Sequence, residues 1–88
     1  MNIDTFLYYI HVYHNEINGG GTYKQVELIK EFRRYESEEK VNRLIEEAEL
    51  ISKQLNVEDW EMEPILLNLC NTYGKRHLKS ITKIILAE

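Results

Sequence analysis

Between Ser37 and Leu55 the apolar residues fall three and four apart: Val41, Leu44, Ile45, Ala48, Ile51 and Leu55. Two heptads of this spacing give a helix one apolar stripe, and tertiary cover of that stripe supplies most of its stability in water. Ser37 can cap its start, and Glu38 and Glu39 follow in the first turn, where the helix dipole favours anions. Asn56 suits the stop. The rest of the chain must supply the cover.

Helical periodicity recurs on both sides. Ile3, Phe6, Leu7, Ile10, Tyr13 and Ile17 follow candidate caps at Asn2 and Asp4. The stretch from Phe6 to Tyr13 is rich in strand formers, but the consecutive Tyr8, Tyr9 and Ile10 break a strand's alternation, so a helix is expected. Tyr8 and Val12 fall on its outer side. Gly19, Gly20 and Gly21 interrupt the pattern as a hinge. Thr22, with Gln25 three residues on, matches a capping box that opens a second helix. That helix runs to about Tyr35, with Val26, Leu28, Ile29, Phe32 and Tyr35 on its apolar side. Pro64 suits the first turn of a fourth helix. Ile65, Leu66, Leu67, Leu69, Cys70 and Tyr73 cover more than half of it, which predicts the most buried element. Gly74 ends it or kinks it, and Leu78, Ile81, Ile84 and Ile85 mark the inner side of a fifth. The expectation is an all-α fold: a compact bundle of four to five short amphipathic helices, one helical domain over residues 1–88.

A chain of 88 residues holds one core and has no mass for a cofactor domain. Cys70 is the only cysteine, so no internal disulfide can form. There is no basic-led apolar leader and no run long enough to span a membrane. These features predict a cytoplasmic protein without a membrane partner.

Charge is segregated along the chain. Lys75, Arg76, Lys79 and Lys83 share one face of the last helix, with no acid until Glu88. Like charges at that spacing repel by a few tenths of a kcal/mol per pair. Lys75 and Arg76 also sit at the helix start, where the dipole disfavours cations. Residues 37–63 hold nine acids against three bases, within a chain of net charge −4. The basic face could meet phosphates. In outline the segment through Tyr73-Gly74 resembles a helix-turn-helix. Its later apolar position falls on Ser80 rather than Ile81, and the last helix lacks the Asn or Gln that reads adenine.

The acids suit a protein partner of opposite charge. Glu46, Glu47 and Glu49 are expected on the outer surface of the third helix. Glu58, Asp59 and Glu61 surround Trp60, which either anchors an interface with an acidic rim or closes one end of the core. Leu50 and Leu86 are expected to face outward, and six tyrosines are many for this length. Tyrosine is favoured at interfaces, so a homodimer is one possible assembly.

Catalytic signatures are missing. His11 and His14 lie three apart, but zinc usually takes three or four spaced ligands, so no metal or other cofactor is expected. His11 is read as polar-side, with His14 and His77 at the core boundary. Cys70 among leucines reads as a packed, inert thiol. The three glycines lack the Gly-Lys-Ser/Thr of a phosphate loop. Glu39 with Arg43, and Glu49 with Lys53, form helix-surface pairs. The expected function is a small acidic protein-binding module and not an enzyme. In size, charge and helicity it is similar to small immunity proteins and phage-encoded inhibitors, which implies an inhibitor that neutralises a basic nucleic-acid enzyme or toxin. The alternative is a small nucleic-acid-binding regulator using the basic last helix.

Overall fold

Phe6, Phe32, Leu44, Ile51, Leu66, Leu78 and Ile85 have no exposed surface, and helices from the whole chain converge on the core they form. The computed structural model describes residues 2–17 and 24–87, with 16 and 17 given by their helical backbone alone. Helix α1 (Asp4–Tyr8) continues directly as a π-helical segment, Tyr9–Ile17. Then come α2 (Gln25–Tyr35), α3 (Glu38–Gln54), a single 3₁₀ turn at Asp59–Glu61, α4 (Pro64–Tyr73) and α5 (Lys75–Ala87). Among the described residues there is no strand. The fold is a small all-α bundle with a Cα radius of gyration of 12.4 Å, close to the roughly 12 Å of a well-packed chain of this length.

The punctuation works as its chemistry dictates. Ser37 Oγ accepts a hydrogen bond from the Lys40 N–H at 3.2 Å and so starts α3. Pro64 opens α4. Gly74 separates α4 from α5 with φ +91°, a backbone conformation that residues bearing a Cβ rarely adopt. A Cβ there would touch nothing within 4 Å, so the backbone angle and not crowding selects glycine. The glycine hinge and the Thr22 cap lie outside the described residues, as does the side chain of Ile17. At the described start of α2, the Glu27 carboxylate accepts from the Lys24 N–H at 3.3 Å.

Helix α5 packs on α2, α3 and α4, most extensively on α3. Its buried arc is correspondingly broad: Leu78, Ile81 and Ile85 are joined by Thr82. Thr82 satisfies its hydroxyl on the Lys79 carbonyl at 3.0 Å. Helix α4 is not the most buried element. It packs mainly on α5, so only Leu66 and Leu69 are buried and Ile65 stays 36% exposed. Tyr35 also departs from expectation at 69% exposure, because it ends α2 where the chain turns away from the core.

The first segment differs most from its predicted form. Only its first turn is α-helical; from Tyr9 the hydrogen bonds run i to i+5, a rare state in proteins. Together the α turn and the π segment bury Phe6, Tyr9, Ile10 and Tyr13, and pack Tyr8 and Val12 against the core instead of leaving them outside. Tyr9 and Tyr13 stack at 5.9 Å, and Tyr8, Tyr9 and Tyr13 all present ring edges or faces to Phe32. Glu36, at the corner between α2 and α3, ties this group down. Its Oε2 accepts from the hydroxyls of Tyr8 at 3.0 Å and Tyr13 at 2.5 Å. Lys40 pairs with the other oxygen at 3.3 Å and lies over the Tyr8 ring.

Candidate functional site

The acids of α3 separate into two roles. Glu46 and Glu49 are exposed, as expected. Glu47 is not on the outer surface: it is 8% exposed, and its Oε1 accepts the Phe6 N–H at 2.9 Å. That N–H belongs to the first turn of α1, whose leading amides have no partner inside the helix. Position 47 lies three residues from Leu44 and four from Ile51, which places it on the buried stripe. That spacing was the available signal for its inward position. Glu47→Ala should therefore cost about 1–3 kcal/mol by stranding a buried donor, while Glu47→Gln, which keeps an acceptor, should cost less. Urea denaturation of the two variants checks the order.

Beside Glu47 the surface of α1 and α3 holds a groove of about 440 Å³, lined by Asp4, Thr5, Arg43, Glu46 and Leu50 among others. Arg43 is held by Glu39 at 2.7 Å, as the spacing predicts. The Glu49–Lys53 pair does not form. Asp4 and Glu46 thus face the groove without an ionic partner among the described residues, next to Leu50, which is 47% exposed.

The second acidic surface is the 3₁₀ turn. Trp60 does not close the core: it is 82% exposed, the most exposed large apolar side chain described. Met62 takes the buried position instead, with its sulfur 3.7 Å from Cys70 Sγ. Glu58, Asp59 and Glu61 are exposed around Trp60. Burial pushes the Cys70 thiol up, with nearby Asp59 adding to the rise and Lys75 opposing it, consistent with an inert cysteine.

One contact joins the basic stripe to the acidic stretch. Lys75 Nζ lies 3.4 Å from Asp59 and donates to the Val57 carbonyl at the same distance. With 37% and 75% of the two side chains exposed, such a pair contributes at most about 1 kcal/mol. Arg76, Lys79 and Lys83 are exposed and have no ionic partner among the described residues. The two charged regions therefore stay largely uncompensated, and each presents its charge to solvent.

The three histidines also separate. His11 is exposed, as read from the sequence. His14 and His77 are half-buried and face each other across the π segment and α5. No group of three or more His, Cys, Asp or Glu side chains suited to a metal occurs among the described residues, and no helix there is long and apolar enough to cross a membrane. Sequence reasoning missed the His14–His77 contact and the Glu36 hub, because both depend on which helices meet. No family model, curated protein or solved structure matches the chain.

Proposed function

We propose that this chain is a small acidic protein-binding module that docks on a basic protein surface. The observation that carries the reading is Trp60, 82% exposed on a turn whose Glu58 and Glu61 have no ionic partner among the described residues. A tryptophan left in solvent with an acidic rim supplies what interface hot spots use: a large amphipathic anchor surrounded by polar groups that exclude water. The groove beside Glu46 offers a second anionic surface, with the half-exposed Leu50 on its edge. Glu47 drops out of the docking set because its carboxylate is engaged with α1. The chemistry fits a partner that carries a positive patch for its own purposes, such as a nucleic-acid enzyme or toxin. Occupying that patch would inhibit it by excluding phosphate.

The test is affinity capture from cell extract with the immobilised chain, then titration of the purified captured protein against wild type, Trp60→Ala and Glu58→Lys/Glu61→Lys. A basic partner that binds Trp60→Ala at least tenfold more weakly supports the reading, since hot-spot truncation costs about 2 kcal/mol or more. The charge reversals should slow association and reduce its salt dependence. If Trp60→Ala binds as wild type does, or if the captured protein is acidic, the docking surface is wrong.

A second reading rests on Arg76, Lys79 and Lys83, exposed and without ionic partners among the described residues. They could contact nucleic-acid phosphates. Fluorescence titration with mixed-sequence DNA and RNA at two salt concentrations decides it. Each lysine removed should flatten the salt slope by about one unit, and absence of binding at low salt removes the reading.

A further inference from the structure

We infer that His14 and His77 form a bidentate site for a divalent transition-metal ion of zinc type, clamping the π segment to α5. Their Nε2 atoms lie 3.3 Å apart, and the ring centres lie 5.2 Å apart at a tilt of 52°. A tetrahedral ion with metal–nitrogen bonds of about 2.0–2.1 Å holds two imidazole nitrogens about 3.3–3.4 Å apart and their ring centres about 5.2 Å apart. A head-on N–H···N hydrogen bond of the same nitrogen spacing would put the centres about 5.6 Å apart. The rings are thus bent away from a head-on line, a spacing at which one ion can reach both Nε2 atoms. Neighbouring ligands of a planar copper site would stand about 2.9 Å apart, so the spacing suits zinc better.

The surroundings match. The Gln25 side-chain amide lies 3.3 Å from His14 Nδ1, and its oxygen is buried without a hydrogen-bond partner. A half-turn of that amide would bring the oxygen to the Nδ1–H. Metal-binding histidines usually hold their second nitrogen this way, which leaves Nε2 free to ligate. Tyr73 packs its ring edge-on to His14 at 5.9 Å, and its hydroxyl is fixed by Asn15 Nδ2 at 2.8 Å. Two protein ligands leave two positions for water, or for a donor from a docked partner. The sequence sets His14 beside His11, three residues away; the fold sets it beside His77, sixty-three away.

Isothermal titration of the purified chain with ZnCl2 at neutral pH tests the assignment, using His14→Gln and His77→Gln with His11→Gln as the control. Wild type and His11→Gln should each bind one ion, and loss of either ligand should weaken binding by about tenfold or more. In a second measurement, Zn2+ should move the imidazole 15N resonances of His14 and His77 in the wild-type chain and leave those of His11 in place. That measurement needs no variant to fold. Equal binding by all four proteins, resonance changes centred on His11, or no wild-type response up to about millimolar Zn2+ would each overturn the site.

Discussion

Phe32→Ala should destabilise the protein by about 3–5 kcal/mol, close to the whole stability of many domains of this size. Phe32 is fully buried on α2, and its ring lies 5.1 Å from that of Tyr13, 5.6 Å from Tyr9 and 6.3 Å from Tyr8, each contact edge-on. Truncation removes the buried ring, leaves a cavity and unseats three aromatic pairs at once. Each such pair is worth about 0.5–1.5 kcal/mol beyond its buried area. Phe32→Leu keeps most of the volume and should cost less than half as much. Denaturant titration followed by far-ultraviolet circular dichroism reads both. A Phe32→Ala midpoint near wild type would mean that the π segment is held by something other than this cluster.

Glu36→Ala should cost about 2–3 kcal/mol, because hydrogen bonds to a charged acceptor are worth about twice neutral ones and the Tyr13 hydroxyl would lose its partner at a largely buried site. The same carboxylate makes stability depend on pH. Burial pushes the Glu36 pKa up, but the hydrogen bonds from Tyr13, Tyr8 and Lys40 outweigh it and leave the group below its ordinary 4.5. A carboxylate with a depressed folded pKa stabilises fully above its unfolded pKa. That contribution fades as the pH falls below about 4.5 through the folded value. Between pH 7 and pH 3, wild type should therefore lose more stability than Glu36→Gln, measured by urea midpoints at each pH. Parallel pH curves for the two proteins would remove Glu36 from the acid response.

The elements legible in the sequence were those fixed by local chemistry. Ser37, Pro64 and Gly74 each act within one turn of the backbone, so α3, α4 and α5 begin where their residues say. The π segment was not legible. Whether Tyr9 and Tyr13 hydrogen-bond in an i+4 or i+5 pattern depends on Phe32 and Glu36, which are remote in sequence. The candidate site divides along the same line. The exposure of Glu46, Glu49 and Leu50 follows from the α3 period. Trp60 lies in a non-periodic stretch, so nothing local placed it in or out of the core. Glu47 was readable from its place on the apolar stripe: a charged residue there ordinarily faces water, but this one serves as the acceptor that begins another helix.

The π segment makes the molecule's internal wiring a matter of residues per turn. Tyr13, which reaches Glu36, and His14, which reaches His77, lie side by side partway along it. If the segment rewound to the ordinary 3.6 residues per turn at constant length, each residue beyond Tyr9 would turn further by about 20°, and Tyr13 and His14 would swing by roughly 80–90°. Both long-range connections would then be cut together, with the composition of the segment unchanged. The winding of this segment, more than any single residue in it, therefore holds both connections in register.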